Sequence, residues 1–161
     1  MQDRAEKLGG KMLKQRTLGI NEIEAIIEFD KLCFPTDFWK RSDWEELLGD
    51  ERAVYYAMTD GNRIVGDLFI YNWAGESDYI KIMNLAVHPD YRGGGIAGRL
   101  IENAEKEMER SGLSRICGET RESNSAMRRL FEKCGYKLNK TEPDYYENPT
   151  EAGCKYVFEA K

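Results

Sequence analysis

A run of glycines between an apolar strand and an amphipathic helix constrains this chain more than any other feature of its sequence. Arg92-Gly93-Gly94-Gly95-Ile96-Ala97-Gly98 stands between a strand pattern over 78–87 and a helical pattern over 97–108. Glycines let the backbone turn sharply and let an anion approach its bare N–H groups. The following helix adds unpaired N–H groups and a positive dipole end. The motif therefore predicts a pyrophosphate site, the alternative being a tight connection with no ligand.

The same glycines also match the dinucleotide-binding spacing G-x-G-x-x-G. Gly93, Gly95 and Gly98 supply the glycines, and Glu119 follows about 20 residues later. In that motif the first glycine follows its strand directly, whereas here the segment 88–92 intervenes. We also expect too little chain after Glu119 for the rest of a doubly wound sheet. A nicotinamide or flavin enzyme is therefore disfavoured.

The strand before the glycine turn changes parity along its length. Ile80 and Ile82 share one parity, whereas Leu85 and Val87 share the other. Such a change indicates a β-bulge, which would splay this strand from its parallel neighbour. The bulge would leave backbone N–H and C=O groups near Leu85, Ala86 and Val87 unpaired and open to a ligand. The alternative is an uninterrupted strand buried on both faces.

Hydrophobic periodicity predicts a mixed α/β fold. Three strands joined by short turns form an antiparallel meander, and the strand-helix-strand unit 78–119 implies a right-handed crossover between parallel strands. The result is a mixed sheet with helices on its faces. The predicted strands are 12–17, 53–59, 63–73, 78–87, 113–119, 136–138 and 154–159, and the predicted helices are 20–29, 44–48, 97–108 and one that is capped by Ser123 or Asn124 and closed by Gly135.

Length, charge and cysteine usage exclude several classes of protein. A chain of 161 residues fits a single domain, which we expect over 11–161 after a loose leader of 1–10. The net charge of -5 disfavours nucleic-acid binding, and no stretch is apolar enough for a signal peptide or a membrane span. Four scattered cysteines and one histidine indicate no metal site and reduced thiols in a cytoplasmic protein. We expect a monomer or a homodimer.

With these motifs the chain resembles the GNAT superfamily of N-acetyltransferases. The acetyl-CoA motif of that superfamily is Gln/Arg-x-x-Gly-x-Gly/Ala, which Arg92 to Ala97 match. The segments 84–91, 119–124 and 130–136 are also typical of it. The resemblance is strongest to the branch of ribosomal-protein N-terminal alanine acetyltransferases. That branch has a Phe-Pro element, here at Phe34, and a late Tyr-Tyr pair.

The resemblance implies a role for each matching residue. Acetyl-CoA would be the co-substrate, without a metal, and the acceptor would be an amine on a small molecule or a protein N-terminus. Glu119 matches the position of the general base. The other implied positions are Leu85, Ala86 and Val87 for the acetyl and pantetheine groups, residues 92–98 for the pyrophosphate, Asn124 for the pantetheine arm, and Phe34, Tyr145 and Tyr146 for the acceptor.

One residue departs from the pattern of this branch. Phe131 stands where the branch carries a tyrosine that donates a proton, and phenylalanine cannot do so. The spacing of Phe131 predicts packing, so we expect Tyr145 or Tyr146 to supply the proton or to orient the acceptor. Two functions stay open: an N-acetyltransferase acting on a protein N-terminus, a lysine or a small amine, and a coenzyme-A-binding regulatory or interaction module without catalysis.

Overall fold

The computed structural model describes residues 4–161, which fall into two compact units. The first unit comprises residues 4–71 and 83–103, and the second comprises 72–82 and 104–161. None of the described helices is long and apolar enough to span a membrane. The strands are β1 (Arg4–Leu8), β2 (Lys11–Leu18), β3 (Ala53–Asp60), β4 (Arg63–Asn72), β5 (Ile80–Val87), β6 (Arg115–Arg121), β7 (Lys137–Tyr146) and β8 (Glu151–Glu159), and the helices are α1 (Ile23–Cys33), α2 (Arg41–Leu48), α3 (Ile96–Arg110) and α4 (Ser125–Lys133).

The first unit contains an antiparallel meander in the order β1-β2-β3-β4. Its first strand corrects the expectation of a loose leader over 1–10. Residues 4–8 pair with β2, because Gly9 and Gly10 take φ values of 56° and 79° and form the tight turn of a hairpin. Residues 1–3 of the expected leader lie outside the described residues.

Helices α1 and α2 cover the aromatic core of this unit. Trp44 of α2 is fully buried and stacks on Phe69 of β4, with ring centroids 5.2 Å apart. Asp30 of α1 lies beneath these rings, where its Oδ2 accepts hydrogen bonds from the Trp39 backbone N–H (2.8 Å) and the Trp44 indole (3.2 Å). A buried carboxyl therefore ties the segment between the two helices to the core.

The second unit contains both parallel and antiparallel pairing. The first residues of β5 run parallel to β6, with Ile80 opposite Ile116 and Lys81 opposite Cys117. Strand β8 lies antiparallel between β6 and β7. The short parallel register at the start of β5 agrees with the expected splay. The predicted mixed α/β class, with a meander followed by a strand-helix-strand crossover, is confirmed.

Strand β7 is longer than the sequence pattern indicates. Tyr145 and Tyr146 were expected in a loop, but they form the end of β7, with an irregular register between Glu142 and Tyr146. Pro143 disfavours a strand in general, yet β7 is the edge strand, where proline removes no hydrogen bond of the ladder. The turn between β7 and β8 is therefore only 147–150.

Candidate active site

The glycine loop leads from β5 through a short 3-10 turn into α3. Gly93 and Gly95 have φ values of 82° and 85°, in the left-handed region that favours glycine. A Cβ atom added at Gly93, Gly95 or Gly98 would meet nothing within 4 Å. The Arg99 N–H donates to the Gly95 carbonyl (3.0 Å) and closes the first turn of the helix. The loop thus presents open backbone at a helix N-terminus, as a site for phosphate requires.

Gly9 of the β1–β2 turn and Gly66 of β4, which the sequence did not link to this loop, allow it to pack closely. A Cβ at Gly94 would lie 3.1 Å from Gly9 Cα, so the loop packs closely on the β1–β2 turn. A Cβ at Gly66 of β4 would lie 2.6 Å from Ile96 Cγ2, at the first residue of α3. Backbone contacts this close require residues without side chains, which single-sequence patterns do not reveal.

The alternation of burial along β5 breaks after Ile82, but Val87, which was expected to share the parity of Leu85, is only half-buried and Ala86 is buried instead. Leu85 and Ala86 are buried, whereas Met83 and Asn84 before them are only half-buried. Two backbone groups expected to be unpaired are engaged within the protein. The Ala86 N–H lies against the Asp67 carboxyl, whose pKa it lowers, and the Val87 carbonyl accepts a hydrogen bond from Arg92 Nε at 3.2 Å. These two groups are therefore less open to a ligand than the sequence pattern predicts.

Asp67 of β4 is fully buried directly behind this segment. Its Oδ2 accepts a hydrogen bond from the Tyr55 hydroxyl at 2.7 Å, and its Oδ1 has no partner among the described residues. Burial raises the pKa of Asp67 to about 7, against the lowering effect of the Tyr55 hydrogen bond. The sequence pattern predicts only that Asp67 lies in a strand, and it indicates neither the burial of the side chain nor its hydrogen-bond partners.

Glu119 on β6 lies at the centre of a polar cluster in the second unit. Its Oε1 accepts a hydrogen bond from the Tyr145 hydroxyl at 2.6 Å, and its Oε2 lies 3.1 Å from Lys81 Nζ. The Glu119 side chain is 22 % exposed, so the carboxylate remains accessible. Burial, followed by the hydrogen bond and charge of Glu119, raises the pKa of Tyr145, which keeps this phenol protonated.

The sheet register explains this cluster. Lys81 pairs with Cys117, and Glu119 lies two residues further along β6 on the same face. Gly153 of β8 makes room for the tyrosine, since a Cβ there would lie 2.6 Å from Tyr145 Cδ2. The structure therefore brings together two predicted residues, Glu119 and Tyr145, and adds Lys81, which sequence reasoning missed.

The remaining predicted residues have distinct surroundings. Tyr146 meets Tyr145 edge-on (5.1 Å between centroids) and carries the Arg121 guanidinium over its ring (4.8 Å). Asn124 caps α4, with its Oδ1 accepting the Met127 N–H at 3.1 Å. Phe34 follows α1 and packs, half-buried, on the core of the first unit.

Phe131 of α4 is a packing residue, as its spacing predicts. Its side chain is 1 % exposed and stacks on Tyr156, with ring centroids 5.0 Å apart. A Cβ at Gly118 would lie 2.8 Å from Phe131 Cζ, so the ring packs tightly against β6. The ring is therefore almost fully shielded from solvent and fills the space that Gly118 leaves.

The comparisons with known proteins agree with this geometry. Residues 23–136 match the acetyltransferase (GNAT) family, and the chain belongs to that family. It is 31% identical over 120 residues to an acetyltransferase of Pectobacterium atrosepticum, covering 73% of this chain and 82% of that protein. The resemblance inferred from the motifs is therefore confirmed.

Similarity extends to the branch that modifies ribosomal proteins. The chain is 34% identical over 76 residues to the ribosomal protein bS18-alanine N-acetyltransferase of Escherichia coli, covering 47% of this chain and 50% of that protein. The crystal structure of the ribosomal-protein alanine N-acetyltransferase from Escherichia coli superimposes with a TM-score of 0.80 at 21% identity, covering 92% of this chain and 94% of the other. That structural likeness shows a shared fold.

Proposed function

We propose that this protein is an acetyl-CoA-dependent N-acetyltransferase that transfers the acetyl group to a primary amine. The observation that carries the proposal is the glycine loop, whose open backbone leads into the N-terminus of α3. In this proposal residues 92–98 bind the pyrophosphate of acetyl-CoA, and backbone groups of Leu85, Ala86 and Val87 face its acetyl and pantetheine groups. Family membership supports the activity.

In this proposal the favoured acceptor amine is a protein N-terminus. Support comes from the similarity to the alanine N-acetyltransferase of Escherichia coli. Phe34 and Tyr146 contribute to the acceptor site in this proposal. Asn124 reaches the pantetheine arm through its amide nitrogen, since its oxygen already caps α4.

The chemistry begins with loss of a proton from the amine. An α-amine has a pKa of ~7.7–8.0, so much of it is protonated at pH 7 and cannot attack a thioester. We assign the role of general base to Glu119, whose partly exposed carboxylate is held in position by Lys81. The amine nitrogen then attacks the thioester carbonyl carbon, and the C–S bond breaks with departure of the thiolate.

Tyr145 completes the proposed proton transfer. Its hydroxyl already donates to Glu119 at 2.6 Å, so a proton received by the carboxylate can replace one that the phenol gives away. The ammonium group loses two protons on the way to the amide: one leaves to water when the free amine forms, and the other passes to Glu119 once the nitrogen has attacked. The Tyr145 proton passes to the thiolate sulfur, and Glu119 returns a proton to the Tyr145 oxygen. This pathway needs no acid at position 131.

The test of the base is Glu119→Gln, with Glu122→Gln as the matched control. Glu122 is an exposed carboxylate on the following segment. We expect Glu119→Gln to lower kcat/KM by ~10²–10⁴-fold near neutral pH, with partial recovery at higher pH as free amine accumulates. An unchanged pH–rate profile would assign the base to another residue. Tight coenzyme A binding without thiol release from any amine would favour the non-catalytic module instead.

Domain organisation, cellular location and oligomeric state are part of the proposed function. We assign the activity to one domain that includes residues 11–161 together with the paired strand β1, acting in the cytoplasm as a monomer or homodimer without nucleic-acid or membrane partners. The net charge of -5 and the free thiols of Cys33, Cys117 and Cys154 support this assignment.

A further inference from the structure

An open groove of about 310 Å³ lies within the first unit, beside Met83 of β5. Its floor is apolar, and the position of Trp39 in this floor is fixed by two contacts. Trp39 packs on Trp44 with ring centroids 4.6 Å apart, and its backbone N–H is held by Asp30. The residues lining the groove are Trp39, Asp43, Glu46, Leu47 and Met83.

The groove lies close to the segment assigned to the acetyl group. Met83 stands two residues before Leu85 on β5. A strand rises by about 3.3 Å per residue, so these two residues lie ~7 Å apart along the chain. An extended peptide has the same rise. When its terminal amine is at Leu85 to Val87, its second or third side chain therefore reaches the groove.

Two carboxylates form the polar part of the groove, and Oδ2 of one of them, Asp43, also accepts the Lys40 backbone N–H at 3.3 Å. Asp43 and Glu46 are three residues apart on α2 and thus share one face of the helix. Both are exposed, and among residues 4–161 neither has a cationic side chain within ion-pair distance. The nearby Arg41 is instead engaged by Glu24 of α1 at 2.6 Å. An apolar floor beside two carboxylates that lack a cationic side-chain partner among the described residues complements a ligand that is both apolar and cationic.

We infer that this groove selects protein N-termini that carry a large apolar side chain and a lysine or arginine within the first three residues. The volume of the groove is at the lower end for ligand pockets, which suits one or two side chains rather than a whole small molecule. This inference rests on the proposed function, because it requires the acetyl group at Leu85 to Val87.

The experiment compares synthetic peptides that share an N-terminal alanine and differ at the next two residues. Leu-Arg, Leu-Glu, Ser-Arg and Ser-Ser peptides, with the polyamine spermidine as a further acceptor, are assayed by thiol release from acetyl-CoA. We expect the Leu-Arg peptide to exceed Ser-Arg by at least about tenfold in kcat/KM, because a buried leucine is favoured over an exposed one. We also expect the kcat/KM of the Leu-Arg peptide to exceed that of the Leu-Glu peptide, and this ratio should decrease as salt is added.

Substitutions on α2 test whether the preference for a basic over an acidic peptide arises in the groove. Asp43→Asn and Glu46→Gln should each reduce the preference for Leu-Arg over Leu-Glu by about fivefold, the factor for one exposed ion pair at ~4 Å in water. Glu46→Lys should favour the acidic peptide. Glu45→Gln removes an exposed charge from the same helix outside the groove, and should leave the preference unchanged.

The outcomes separate this inference from the proposed function. Equal rates with all four peptides, or an equal effect of Glu45→Gln and Glu46→Gln, would overturn the inference while leaving the transferase activity established. Spermidine as the best acceptor would also overturn it. Failure of every acceptor to release thiol would refute both, and a thermal unfolding curve for each variant shows whether it folds.

Discussion

Gly98→Glu is the substitution for which the structure predicts opposite effects on stability and on cofactor binding. Gly98 is the third residue of α3, and a Cβ added there would meet nothing within 4 Å. Its φ lies outside the left-handed region that strains other residues, unlike the φ of 85° at Gly95. A side chain at position 98 therefore fits the folded protein without distortion.

The effect on stability follows from helix energetics. Replacing glycine inside a helix stabilises it by roughly 0.5–1 kcal/mol, because glycine loses more backbone entropy on folding. A carboxylate in the first turn adds roughly 0.3–1 kcal/mol through the helix dipole. The free energy of unfolding should therefore rise by about 1–2 kcal/mol, which corresponds to an increase in Tm of about 2–8 °C for a chain of this size.

The effect on binding has the opposite sign. A carboxylate ~4 Å from one phosphate charge costs roughly 4 kcal/mol at an effective dielectric constant of 20, or about a thousandfold in Kd. Gly98→Ala and the neutral Gly98→Gln serve as controls, since they should stabilise the helix without charge repulsion. Calorimetric titration with acetyl-CoA and thermal unfolding measure the two effects. An unchanged Kd for Gly98→Glu would refute the phosphate assignment of the loop.

Other predictions concern the second unit and the buried carboxyl. Tyr145→Phe should lower kcat/KM by about 10²-fold or more, because it removes the hydroxyl that donates to Glu119, whereas Tyr146→Phe should have little effect; a steady-state assay with one acceptor compares them. Gly153→Ala should reproduce much of the Tyr145→Phe loss, since its Cβ would force the ring to move; retention of full activity would contradict the placement of that ring. Asp67→Asn should flatten the pH dependence of stability. The raised pKa of Asp67, about 7, means that the stability contributed by its protonated form is present below ~4 and is lost as the pH rises towards 7; thermal unfolding across this range tests it.

Local patterns in the sequence were sufficient for the elements around the cofactor site. The glycine turn, the helical spacing after it and the parity change in β5 each depend on residues close together in the chain. Such features follow from backbone freedom and side-chain periodicity, which act over a few residues. For the same reason the packing role of Phe131 was predictable from its spacing on α4.

The tertiary structure alone decided which side chains meet. Glu119 contacts Lys81 and Tyr145, which lie 38 and 26 residues away along the chain. These contacts depend on strand register, on the edge position that tolerates proline in β7, and on the space that Gly153 leaves for an aromatic ring. The burial of Asp67 likewise depends on the neighbours of a strand and not on its own residues. Strand register and side-chain burial depend on contacts with segments that are distant in the sequence, so local sequence patterns do not determine them.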